Sequence, residues 1–232
     1  MQNVALIHGL NSTADSWSEV IAVLPTGIRP VAVDCPPLES VELIARSLIA
    51  QLPDQFHLVG YSFGGYVALA LLDFFPDRIA SVILIATSAV ADSDEQRDFR
   101  ERAICAALER GCDASSLELF PRCVHPDNQA NQLIFDRYRA AIRSSDTARY
   151  VAHQRACMHR PDRTAILARA RKPVLLVTPE ADNVVPVRHQ LRSIQNIPWA
   201  EIRSVPGTGH LLPIEAPAVV AGIVGDWISD NA

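Results

Sequence analysis

The sequence predicts an α/β protein, a three-layer α/β/α sandwich with a mainly parallel sheet of about six strands and one helical insertion. Three observations lead there. Six short apolar runs, Val4–Ile7, Pro30–Val33, Phe56–Val59, Val82–Ile85, Val174–Val177 and Ile202–Val205, are separated by helical patterns. Strands in a parallel sheet read as such unbroken runs because helices cover both faces. Next, the stretch 91–170 holds helical patterns and no convincing strand, so the chain divides into a core, 1–90 with 171–232, and an insertion over the carboxyl edge of the sheet. Finally, Gly60-Tyr61-Ser62-Phe63-Gly64-Gly65 stands between an apolar strand and the apolar helix that begins at Phe63.

The elements follow from the N-terminus. Strand Val4–Ile7 runs into His8-Gly9-Leu10-Asn11, and a helix over Trp17–Leu24 follows the capping residue Ser16 and stops at Pro25. The strand Pro30–Val33 belongs at a sheet edge, since a proline cannot donate a ladder hydrogen bond. Helices Val41–Leu52 and Phe63–Phe75 each end before a proline. In the insertion, Ser93 and Gln96 form a capping-box pattern and Gly111 a stop. Further helices are expected over Asp127–Arg143, from Asp146 to before Pro161, and over Asp162–Ala170. Between Ala91 and Arg171 there are 14 Arg against 12 Asp and Glu, a balance that reads as solvated, ion-paired faces and not as an anion site. Beyond strand Val174–Val177, Pro186 opens a helix, and the last helix covers Pro217–Ile228 with Trp227 on its apolar side.

Composition narrows the function. Hydrophobic residues make up 49% and charged residues 20% of 232, enough for a packed core. A formal charge of −5 implies neither nucleic acid nor an anionic membrane as partner. No apolar run reaches the ~18 residues of a membrane span, and the first strand begins where a leader would stand. Five scattered cysteines, with no C-x-x-C pair and no metal-ligand spacing, fit reduced thiols in the cytoplasm. No metal and no organic cofactor is expected. The exposed edge strand permits a dimer without arguing for one.

The chemistry centres on Ser62. A Gly-x-Ser-x-Gly between strand and helix forces the serine into a strained turn and lifts its hydroxyl above the sheet. Serine is a weak nucleophile and needs a neutral imidazole, itself oriented by a carboxylate. Of seven histidines, His57 lies inside the strand before the turn, and His125, His153, His159 and His189 fall on helices or helix ends, where surface placement is expected. His210 stands in the glycine-flanked loop Gly207-Thr208-Gly209-His210 at a strand's carboxyl end, where open parallel sheets bind ligands. The carboxylate should fall between Ser62 and His210 in sequence. Asp182 is favoured, with Glu180, Asp92 and Asp94 as alternatives. Backbone N–H groups of Phe63 and Leu10 are the candidate oxyanion donors, with His8 organising the second loop. Asn11, Tyr61, Tyr150, His153 and Met158 are candidate pocket residues.

Together His8-Gly9-Leu10, the Ser62 hexapeptide, the Asp182 loop with Pro186, and Gly209-His210 followed by Glu215-Ala216-Pro217 resemble an α/β-hydrolase-fold serine hydrolase, of the small bacterial type with a helical cap. The resemblance spans almost the whole chain and identifies segment 91–170 with the cap, or lid. It implies hydrolysis of a small-molecule carboxylic ester through an acyl-enzyme. Thioesters, lactones, carbon–carbon bonds, acyl transfer and lyase chemistry stay open on the same scaffold, as does a non-catalytic receptor retaining the fold. The cap segment Gln154-Arg155-Ala156-Cys157-Met158-His159-Arg160-Pro161-Asp162 is similar to a stretch of the small bacterial members. Two features depart from the family: the two strands that usually precede the one ending in His-Gly have no room here, and the loop after Asp34 is shortened to Cys35-Pro36-Pro37-Leu38, which implies a pocket more open on that side.

Overall fold

The computed structural model describes residues 1–232. Its strands are β1 (Gln2–Ile7), β2 (Ile28–Val33), β3 (Phe56–Tyr61), β4 (Ile79–Ile85), β5 (Val174–Ala181) and β6 (Glu201–Gly209), each reaching beyond its apolar run. They form one sheet in the order β2-β1-β3-β4-β5-β6, and every neighbouring pair is parallel. The strand carrying Pro30 is an edge, as expected. After β2 the chain crosses to the far side of β1, so the order reverses between β1 and β3, where Ile7 lies beside Gly60. A crevice opens at such a reversal, just beyond the strand ends.

Alternation along the strands divides the core. Ala5, Ile7, Leu58, Val82, Leu84 and Leu176 face one layer, with α2 (Val41–Leu48) and α3 (Phe63–Phe74). Val4, Leu6, Val59, Ile83, Leu175 and Val177 face the other, with Trp17, α1 (Ser18–Ala22) and the C-terminal helix over Pro217–Asp230 that carries Trp227. Helix α3 is buried almost all round, which its continuous apolar sequence requires. No helix is long and apolar enough to cross a membrane.

Between β4 and β5 come six helices: α4 (Asp94–Arg110), α5 (Cys112–Leu117), α6 (Phe120–Cys123), α7 (Gln132–Arg143), α8 (Thr147–His159) and α9 (Thr164–Ala170). The Ser93–Gln96 capping box is formed, with both hydrogen bonds present, and α4 ends at Gly111. Several expectations need correction. Helices α5 and α6 are too short to show a period in sequence. The helix expected over Asp127–Arg143 is a 3-10 turn, Pro126–Asn128, followed by α7, because Asn131 Oδ1 accepts from the amides of Leu133 and Ile134 and caps a new start. Ser16 does not cap α1; it lies in a 3-10 turn (Ala14–Trp17), and its hydroxyl donates to the Thr13 carbonyl. Asp162 likewise precedes α9, accepting from the Thr164 amide.

Candidate active site

The turn after β3 is as tight as its glycines suggest. Ser62 has φ 51° and ψ −116°, a conformation that side chains rarely adopt and that costs about 1–3 kcal/mol. It is held because the Ser62 amide donates to the Ile85 carbonyl at 2.9 Å and its own carbonyl accepts from Thr87 Oγ1 at 2.7 Å. A Cβ on Gly60 would stand 2.6 Å from the Gly64 carbonyl oxygen, and one on Gly64 would strike the Ile7 carbonyl. Only glycine lets the strand, the turn and β1 come this close.

Ser62 Oγ lies 2.9 Å from His210 Nε2, and His210 Nδ1 lies 2.9 Å from Asp182 Oδ2. A carboxylate accepts and cannot donate, so Nδ1 carries the proton and Nε2 presents its lone pair to the serine hydroxyl. Asp182 is buried and saturated. Its Oδ1 also accepts from the amides of Val184 and Val185, at 2.9 and 2.8 Å, and Oδ2 from Gln190 Nε2 at 2.9 Å. The sequence alternatives lie elsewhere. Glu180 accepts from the Gly207 amide, Asp94 pairs with Arg97, and Asp92 is paired with Arg100 and Arg160.

The His210 loop is fastened from below by Glu215, a residue whose part was invisible in one dimension. Glu215 Oε1 accepts from the Gly209 amide at 2.9 Å, and Oε2 from the His125 amide and Asn128 Nδ2. Tyr61 adds a second fastening, its hydroxyl donating to the His210 carbonyl at 3.0 Å. On the other wall, His8 accepts at Nε2 from the Cys35 amide at 3.0 Å, and its Nδ1 donates to the Gly9 carbonyl at 2.8 Å. Desolvation dominates at this buried ring and lowers its pKa from 6.5 to about 4, so it organises the loop as a neutral group. The Leu10 and Phe63 amides at the two strand ends have no acceptor in the protein.

The candidate pocket residues divide. Asn11 and Tyr61 line a slot between the core and α7. Tyr150 packs with Ala107, Cys112 and Leu10 behind the first loop, and its hydroxyl accepts from Gln154 Nε2. His153 is not on the surface. It is fully buried, its ring stacked on Phe63 at 4.5 Å between centroids, and Nε2 donates to the Pro36 carbonyl at 2.9 Å. The short Cys35–Leu38 loop is therefore covered by α8 and not left open. Burial again dominates and lowers the His153 pKa to about 4. Met158 packs with Ile104 and Val151 inside the helical segment. Trp17, Tyr138 and Leu211 line the slot and were not singled out; Leu211, next to His210, was the one with a signal in sequence.

Two arginines at the end of α8 and just beyond it make structural contacts. Arg160 is buried, stacks 3.8 Å from the Tyr66 ring centroid one turn beyond Ser62, and pairs with Asp92 at 2.7 Å. Arg163 pairs with Glu42 at 2.6 Å. These contacts bind the helical segment to α2 and α3.

The chain matches the model of the alpha/beta hydrolase family over residues 4–223. It is 24% identical over 249 aligned residues to the uncharacterized hydrolase YugF of Bacillus subtilis, covering 98% of this chain and 90% of that one. Its structure is similar to a malate-bound thermophilic esterase from Thermogutta terrifontis, with a TM-score of 0.91 at 25% identity over 99% of this chain and 90% of that chain. It shares its fold with the enol-lactonase from Burkholderia xenovorans LB400, with a TM-score of 0.86 at 19% identity over 98% and 91% of the two chains.

Proposed function

Because this chain belongs to the alpha/beta hydrolase family, we propose that it is a serine hydrolase cleaving a carboxylic ester of a small molecule through an acyl-enzyme. The observation that carries the reading is the unbroken line from Ser62 Oγ through the His210 ring to Asp182. His210 Nε2 takes the Ser62 proton as Oγ bonds to the acyl carbon. The imidazolium so formed lies against the Asp182 carboxylate, which also fixes the tautomer. His210 then returns the proton to the leaving alcohol, whose bond to the acyl carbon breaks. In the second half His210 takes a proton from water, the hydroxide oxygen bonds to the acyl carbon, and the proton goes back to Ser62 Oγ as the acid leaves.

The oxyanion formed in each half is stabilised by the amides of Phe63 and Leu10. Their unpaired state supports this role, as does the packing behind each, His153 on Phe63 and Tyr150 behind Leu10. A preorganised donor of this kind contributes about 3 kcal/mol to lowering the barrier. The helices of residues 91–170 act as the cap, and the chemistry calls for neither metal nor organic cofactor. All five cysteines are free, which supports the reducing cytoplasm as its compartment.

The test is labelling by a fluorophosphonate followed by peptide mapping, with turnover of p-nitrophenyl esters, a thioester and a lactone. We expect one adduct, on Ser62, and turnover of at least the activated esters. A folded protein that neither labels nor turns over any of them is a receptor and not a hydrolase.

A further inference from the structure

Beside the catalytic line lies a narrow slot of about 30 Å³, opening into a surface groove of about 290 Å³ that shares Ser16, Ala141, Pro213 and Ile214 with it. The slot reaches Leu10, whose amide is a proposed oxyanion donor, and Tyr61 and Leu211, the chain neighbours of Ser62 and His210. A water needs about 10–15 Å³ of such space, so the slot admits roughly two heavy-atom groups. The groove has room for the rest of a small substrate.

The slot keeps few free polar groups. No charged side chain lines it. The Tyr61 and Tyr138 hydroxyls are spent on the carbonyls of His210 and Ser116, and those of Ser12 and Ser16 donate to the Gly9 and Thr13 carbonyls. What is left over is a pair of donors, the Leu10 amide and the buried Trp17 indole N–H, and a set of acceptors. Foremost among the acceptors is Asn11, only 4% exposed and held at φ 52°. Its Nδ2 donates to Ser116 Oγ at 2.8 Å and faces the Cys112 carbonyl, which fixes the amide's orientation. Its Oδ1 is buried without a partner. A buried acceptor left unpaired is costly, and a site with one discriminates in favour of a ligand that brings the donor. The groove outside carries Asp15 and Glu19 against Arg137, a balance that does not favour anions.

We propose that this slot and groove are the substrate route, and that Asn11 Oδ1 reads a hydroxyl or amide N–H on a short, uncharged group next to the scissile ester. The assignment rests on the reading of Ser62 as nucleophile. It selects a hydroxylated or amide-bearing ester over its plain alkyl counterpart and over a carboxylate-bearing one.

Two matched pairs test it: p-nitrophenyl butyrate against p-nitrophenyl 3-hydroxybutyrate for the acyl side, and ethyl against 2-hydroxyethyl butyrate for the alcohol side. In one pair we expect kcat/KM roughly tenfold higher for the hydroxylated ester, the worth of one neutral hydrogen bond. p-Nitrophenyl hemisuccinate should be slower than either p-nitrophenyl ester. In Asn11→Gly, which tolerates the positive φ, the hydroxyl preference should collapse toward one. Equal rates within both pairs overturn the proposal, as does a preference that survives in Asn11→Gly. If Asn11→Gly fails to fold, the wild-type pairs decide alone. Fluorophosphonate labelling run alongside separates the two readings: a labelled Ser62 without the hydroxyl preference sinks only the role of Asn11, whereas no labelling sinks the nucleophile and this proposal with it.

Discussion

Asp182 and Asp92 both hold carboxylates with no exposed side-chain surface, and the two are solvated by the protein in opposite ways. Asp182 is surrounded by neutral donors, two backbone amides, the Gln190 amide and the imidazole of His210. Asp92 is held by two guanidiniums, Arg100 Nε at 2.5 Å and Arg160 Nη1 at 2.7 Å. A carboxylate whose charge is already neutralised has nothing to offer an imidazolium. One held only by dipoles keeps its charge available to stabilise the imidazolium when it forms. On the proposed reading, burial does not single out the carboxylate that serves the imidazole; the charge of its partners does.

The comparison can be broken or sharpened in several ways. The largest effect should come from Ser62→Ala, which removes the bond-forming atom; kcat on an activated ester should fall by roughly 10⁶ while the fold persists. Asp182→Asn offers the ring a neutral amide in place of the charge and unsettles the tautomer, and stopped-flow or steady-state assays should give kcat lower by roughly 10⁴. Asp92→Asn leaves the buried Arg160 and the partly buried Arg100 without this anion. Urea unfolding should record a loss of about 3–5 kcal/mol, with activity of the remaining folded fraction within a few-fold of normal.

Smaller is the response to acid. His8 and His153 are kept neutral by burial, with pKa values lowered from 6.5 to about 4. Between those values the unfolded chain takes up protons that the folded protein refuses. Their contribution is therefore intact above pH 6.5 and is lost as pH falls, by about 1.4 kcal/mol per pH unit for each ring. His153→Gln should make the acid limb of a stability–pH curve shallower by one ring's share; an unchanged slope would show that this ring is protonated in the fold. The smallest effect is expected from Glu215→Gln. It sets an amide nitrogen among donors beneath Gly209, and should lower kcat by roughly tenfold through a displaced His210, without altering KM much.

The layers of this fold were legible because a parallel sheet writes its strands as unbroken apolar runs and its turns as glycines and prolines. That Ser62, His210 and Asp182 would meet was legible for the same reason: each follows a strand end, and sequence order restricts the set. What escaped depends on partners far along the chain. His153 reads as a helix-surface residue until α8 is seen pressed onto Phe63 and the Pro36 carbonyl. Periodicity leaves the facing of Met158 open, and only the fold shows it packed with Ile104 and Val151. The fastening of Gly209 by Glu215 is a short-range contact, but nothing in the sequence marks a glutamate before Ala-Pro as a backbone acceptor. Tyr138 reaches the slot from α7, more than a hundred residues from Leu10, and periodicity carries no such distance.

The central claim, that Asp182 and not Asp92 serves the imidazole, is tested most directly by measuring kcat/KM and unfolding free energy together on Asp182→Asn and Asp92→Asn. We expect a crossed result: activity lost by roughly 10⁴ in the first, and in the second stability lost with activity largely kept. Near-normal turnover in Asp182→Asn beside a folded, inactive Asp92→Asn would contradict it.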